Sequence, residues 1–118
     1  MTNIFVFGSN RAGRHGRGAA RWAFRNRGAI LGQGEGLQGE SYALPTKDED
    51  LNVLTLDQIK EHADRFLKFA EDHPDLTFEL TPVGCGLAGY SHGQIAPLFS
   101  TAGPNIILPD EFRAVLGD

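Results

Sequence analysis

Two glycine-rich segments, one lysine, one cysteine and four histidines are the residues whose types and spacing suit chemistry. Gly8-Ser9-Asn10 through Gly16-Arg17-Gly18 leads from an apolar run into a helical pattern. Helix N-termini leave backbone N–H groups unpaired and carry partial positive charge, so such a turn is a natural phosphate seat, and glycine permits close approach. Ser9 and Asn10 add side-chain hydrogen bonds. His15 either bonds a phosphate, carries a proton near neutral pH, or fixes the loop's own backbone. Gly84-Cys85-Gly86-Leu87-Ala88-Gly89-Tyr90 is a second such turn. Side by side, the two could hold a pyrophosphate, with Tyr90 over a sugar. The spacing matches neither G-x-G-x-x-G nor the P-loop, and a plain structural turn is the competing reading.

Lys47 follows Pro45-Thr46 and precedes Asp48-Glu49-Asp50. It is a ligand-binding or catalytic candidate, or else it pairs with those acids, which contributes little at a surface. Cys85 has no histidine beside it and reads as an inert packing residue within its loop rather than a nucleophile. Gly32-Gln33-Gly34-Glu35-Gly36 is either a flap touching a distal ribose through Gln33 or Glu35, or a flexible connection. His62 and His73 are expected at the surface, and His92 near the second loop has no assigned role.

The elements that must position these groups alternate. Asn3–Phe7 reads as a buried strand and Gly18 to Gly28 as a short helix. Gly32, Gly34, Gly36 and Gly39 leave neither helix nor strand comfortable. Ser41–Leu44 is a second strand. Thr55 with Gln58 makes a capping box for a helix that Pro74 ends, with Leu56, Ile59, Ala63, Phe66, Leu67 and Ala70 along one face. Leu76–Val83 is a third strand, and Ser91 caps a short helix to Phe99. Asn105–Leu108 is a fourth strand, and Asp110 caps a last helix through Leu116. The order predicts a mainly parallel sheet with helices on both faces. In such sheets ligands bind beyond the carboxyl ends of the strands, so Gly8–Gly18, Pro45–Lys47 and Gly84–Tyr90 are expected to meet on one rim.

Composition bounds the possibilities. The length of 118 residues suits a single domain, 1–118, with a core that needs no staples. One cysteine allows neither an internal disulfide nor a paired-cysteine zinc site, and no metal or cofactor is implied. The apolar run Ile4–Phe7 is too short for a membrane span or signal core, so a cytoplasmic protein without membrane contact is expected. Glycine is abundant, 15 residues of 118, against a usual ~7%. Residues 1–34 hold six arginines and no acid, giving +6, whereas residues 35–118 hold five Lys or Arg and all fifteen acids, giving −10. A basic opening on an acidic body suggests a local anion site formed by Arg11, Arg14 or Arg17, and argues against direct nucleic-acid binding. Arg21, Arg25 and Arg27 read as solvated helix surface.

Gly16-x-Gly18 opening a helix, Tyr42-x-x-Pro-Thr-Lys47, the Thr55 helix and Pro82-x-Gly84-Cys85-Gly86-Leu87 resemble the macrodomain family. Within it, the chain is most similar to the terminal ADP-ribose glycohydrolases and their bacterial antitoxin relatives. The resemblance covers nearly the whole chain, and the Gly-Cys-Gly-Leu segment is its most specific part. It implies a three-layer α/β/α sandwich with a mainly parallel, mixed sheet that binds ADP-ribose or another NAD-derived nucleotide, free or on an ADP-ribosylated macromolecule. By that resemblance Ser9, Asn10, Gly16 and Gly18 serve the first ligand loop, and Gly84 to Tyr90 form the phosphate loop. Catalytic members carry a lysine where Lys47 stands, able to attack the opened sugar aldehyde as a Schiff-base nucleophile. In the glycohydrolases an acid follows Gly-Cys-Gly-Leu, and here Ala88 stands there, although some bacterial relatives lack it too. The family's extra strand, whose acid reads the adenine amine, has no counterpart before the first loop. Three functions follow: nucleotide binding, ADP-ribosyl hydrolysis through Lys47, and sequestration of a nucleotide signal without turnover.

Overall fold

The computed structural model describes Asn3–Gly117. Strand β1 (Ile4–Asn10) lies at the centre of a five-stranded mixed sheet, and its neighbours explain its composition. On one side it pairs in parallel with β3 (Ser41–Lys47), Val6 opposite Tyr42. On the other it pairs in parallel with β4 (Phe78–Leu80), Ile4 opposite Phe78. β2 (Gly36–Gln38) runs antiparallel along the outer side of β3, and β5 (Ile106–Ile107) runs parallel along the outer side of β4.

Alternate side chains of a strand point to opposite faces, so β1 feeds two cores. Ile4 and Val6 join Tyr42, Leu44 and Phe78 in the larger one, under α2 (Leu56–Asp72), α3 (His92–Ile95) with its 3-10 continuation Ala96–Phe99, and α4 (Asp110–Leu116). Aromatic edges fill it, Phe66 standing T-shaped on Phe78 at 5.5 Å between centroids and Phe99 stacking on Phe112 at 5.9 Å. Phe7 points the other way, to a small core with Ala43 and the alanines Ala20 and Ala23 of α1 (Gly18–Asn26). Alanine lets this nine-residue helix lie close on the sheet. Among the described residues no helix is long and apolar enough to cross a membrane.

Local signals place α2 correctly: the Thr55 hydroxyl accepts from the Gln58 amide, and the Gln58 side chain accepts from the Thr55 amide. Ser91 and Gln94 make a second capping box. Other expectations need correction. Gly36–Gln38 is a strand, stabilised where propensity is poor by the Gln38 side chain, which accepts from the Ile30 amide and donates to the Gln33 and Gly36 carbonyls. β1 and β3 run three residues beyond Phe7 and Leu44, whereas the third and fourth strands shrink to Phe78–Leu80 and Ile106–Ile107. Thr81 still donates its amide and hydroxyl to the Val6 carbonyl, and the chain turns away after it, Val83 donating to the Thr81 carbonyl. Pro109, not Asp110, occupies the N-cap of α4, with no side-chain cap. His62, expected at the surface, is buried between α2 and the β2 approach.

Candidate functional site

The chain leaves β1 for α1 on one face and leaves β4 for α3 on the other. The crevice between these strand ends is therefore a switch point, the usual ligand position in open α/β sheets. Three segments converge there. A Cβ placed on Gly8 would lie 3.5 Å from Thr46 Oγ1 and 3.7 Å from the Gly84 amide nitrogen, and one on Gly18 would lie 3.8 Å from Leu87 Cδ1. Between them opens a cleft of about 490 Å³, within the ~300–1,000 Å³ common for ligand sites.

The end of β3 is shaped by a bulge. Ser9 pairs with Pro45 and Asn10 with Lys47, so Thr46 is the extra residue, and its hydroxyl donates to the Ser9 carbonyl. Such bulges re-aim a strand's end, and here Lys47 becomes part of the cleft wall. Lys47 has no ion pair among the described residues. The Asp48 carboxylate instead accepts from the amides of Asn52 and Asp50, which holds it below the usual carboxylate range.

Arg14 and Arg17 join Lys47 in the lining, and among the described residues no carboxylate does. Neither arginine has an ion-pair partner among the described residues. Backbone donors accompany these cations: among the described residues the amides of Gly16, Arg17, Gly18, Gly86, Leu87 and Ala88 reach no protein acceptor. Apolar surface completes the walls, including the half-exposed Leu51, the only non-glycine described residue with a left-handed backbone (φ 66°), and the exposed Leu87.

Ser9, Asn10, Gly16, Gly18, Lys47, Gly84, Gly86, Leu87 and Ala88 all line the cleft, but not all present chemistry to it. The buried Ser9 hydroxyl donates to the Gly34 carbonyl at 2.5 Å. Asn10 closes a ring on Arg14, its Oδ1 accepting from the Arg14 amide and its Nδ2 donating to the Arg14 carbonyl, both at 2.9 Å. These two side chains shape the loop from within.

His15, Gln33, Cys85, Gly89 and Tyr90 do not line the cleft. His15 is buried edge-on against Phe7, with Nε2 3.2 Å from Gln38 Oε1 and Nδ1 unpartnered among the described residues. Gln33 donates to the Glu35 and Leu37 carbonyls. Cys85 packs against the larger core, and burial pushes its thiol up, with a contribution from Glu111. The Tyr90 hydroxyl donates to the Leu54 carbonyl at 2.5 Å.

The Gly32–Gly36 segment backs the first loop. A Cβ on Gly34 would stand 2.4 Å from the Asn10 oxygen, and one on Gly13 would stand 2.4 Å from the Gln33 nitrogen. Glu35 then ties the segment to α2: its Oε2 lies 2.9 Å from His62 Nδ1, and the Arg65 guanidinium grips both its oxygens at 3.0 and 3.2 Å. Burial raises the Glu35 carboxyl, but the hydrogen bonds and charges of Arg65 and His62 outweigh it, leaving it below its ordinary value. Arg11 turns toward this cluster, its Nε 3.3 Å from His62 Nε2. Sequence reasoning missed Leu51, Thr81 and Pro82 in the lining. Leu51 carries no local signal, because its backbone is set by the Asp48–Asn52 turn.

No protein-family model matches the chain, and no curated protein and no solved structure matches it.

Proposed function

We propose that the chain is a macro-type three-layer α/β/α module that binds ADP-ribose or a related NAD-derived nucleotide in the cleft between its two glycine loops. The observation that carries this reading is charge: in an acidic chain, three cations without ion-pair partners among the described residues gather at one cleft that no described carboxylate lines. Guanidinium and ammonium groups bond phosphate oxygens strongly, and the amides of both loops that have no acceptor among the described residues add neutral donors within residues of the same lining. The apolar walls suit the sugar faces and the base.

Binding without turnover is the preferred form of this reading, because among the described residues no carboxylic acid lines the cleft to protonate a leaving group. The hydrolase alternative keeps one observation in its favour: Lys47 lines the cleft without an ion pair among the described residues, which suits an attacking amine. Calorimetric titration with ADP-ribose tests the first reading, with stoichiometric binding expected and no heat overturning it. Incubation with aspartyl-linked ADP-ribose in borohydride tests the second. An adduct on Lys47 would establish the Schiff-base route, and intact substrate after hours is the expected result.

A further inference from the structure

We infer that the recess where the first loop meets α1 and Leu31 is a second anion site, which takes a small phosphate monoester carrying a flat apolar ring. It has a volume of about 560 Å³ and is bordered by Arg14, His15, Arg21, Phe24, Arg25 and Leu31. Among the described residues no carboxylate borders it. The inference goes beyond the cleft's function and does not depend on it.

Charge is the first observation. Arg14, Arg21 and Arg25 have no ion-pair partner among the described residues, although the chain holds fifteen acids. Arg21 and Arg25 stand four residues apart on α1, and like charges at that spacing destabilise a helix. Arg27, by contrast, is used internally, donating to the Asn3 carbonyl at 3.0 Å and lying over the Trp22 ring at 5.3 Å. Guanidiniums side by side on a concave wall without carboxylates suit an oxyanion.

His15 supplies the second observation, independent of the first. The residue is only 2% exposed. Gln38 Oε1 accepts from the Ile30 amide, so His15 Nε2, which faces the same oxygen, carries the donor hydrogen. A neutral ring therefore keeps a lone pair on Nδ1, and Nδ1 has no partner among the described residues. Buried polar atoms almost always have a partner, waters and ions included. An ionised carboxylate brings acceptors alone. The monoanion of a phosphate monoester brings acceptors and an O–H, the complement of guanidiniums beside a lone pair. Phe24 and Leu31, 43% and 59% exposed, offer apolar surface to the ring that bears the phosphate.

Arg14 and Gly16 also line the cleft, whereas Gly13, Phe24 and Leu31 border the recess alone, and Leu87 and Ala88 the cleft alone. Amide NMR of the full chain therefore separates the two sites during titration with phenyl phosphate, inorganic phosphate and benzoate. Phenyl phosphate is expected to shift the Gly13, Phe24 and Leu31 signals saturably, and to bind there about tenfold more tightly than either other probe. Arg21→Gln with Arg25→Gln, both at exposed positions, should keep the parent's melting transition and weaken that binding by about tenfold or more. Phe24→Ser should bring phenyl phosphate to within about threefold of inorganic phosphate. Shifts confined to Leu87 and Ala88, or no shifts at all, overturn the inference. So does benzoate binding as tightly as phenyl phosphate, or undiminished affinity in the folded double variant.

Discussion

Gly34 and Gly86 make opposite demands although both belong to glycine-rich loops. A Cβ on Gly34 would be driven 2.4 Å from the Asn10 oxygen and 2.6 Å from the Arg11 oxygen, against backbone that cannot yield. Gly34→Ala is expected to destabilise the fold by about 2 kcal/mol or more, read as a shift in the urea midpoint. Gly86 has nothing within 4 Å of its Cβ position and no left-handed backbone. Gly86→Glu should therefore fold within about 0.5 kcal/mol of the parent. It should also bind no ADP-ribose, because a carboxylate enters the anion path. Undiminished affinity in the folded variant would refute this placement of the ligand. Lys47→Ala removes one charged donor, and affinity should fall by about tenfold, equivalent to ~1.4 kcal/mol.

At the scale of elements, the first loop is held from behind rather than by its own helix. The approach to β2, Gly32–Gly34, lies against it backbone to backbone, and Glu35 fastens that approach to α2 through His62 and Arg65. Because the Glu35 carboxyl sits below its ordinary value of 4.5 when folded, its contribution is complete above that value. It is lost as pH falls through the lower folded value. Arg65 is 55% exposed, so solvent screening limits the contribution to about 1 kcal/mol or less. Glu35→Gln should thus be less stable than the parent near neutral pH. The two should converge in acid well below 4.5, as chemical denaturation across that range would show. A constant difference at every pH would mean that packing, not charge, holds the segment.

The whole molecule separates its charges. The first 34 residues carry six arginines, the remainder a net −10, and the cleft draws on the basic part while the body repels anions at long range. Binding should therefore depend on local geometry more than on net charge. Arg14→Gln with Arg17→Gln is expected to weaken ADP-ribose binding at low ionic strength by about tenfold or more and to flatten its salt dependence. Arg21→Gln with Arg25→Gln changes net charge equally but alters exposed positions outside the cleft, so affinity should stay within about twofold. Titrations of both pairs at several salt concentrations separate the two effects. Equal losses in both would mean that the basic opening acts only through its overall field.

The sequence by itself determined what depends on near neighbours. β1 declares itself by an apolar run and α2 by a capping box with helical spacing. The strand–helix alternation and the glycines at strand ends mark the rim where the cleft opens. Tertiary structure alone decided which polar groups face that cleft. Ser9 and Asn10 have the chemistry of ligand donors, yet Ser9 meets a carbonyl 25 residues away and Asn10 the backbone of its own loop. His62 shares the helical spacing of the buried Ile59, Ala63 and Phe66, and only its polar type argued for the surface; its buried ring finds partners because Arg11 and Glu35 arrive from distant segments. β2 forms against its glycines because the Gln38 side chain donates to the Gly36 carbonyl and β3 pairs with the strand. Side-chain type is local, but a hydrogen bond's partner depends on which backbone the fold brings opposite it, and only the packed chain supplies that.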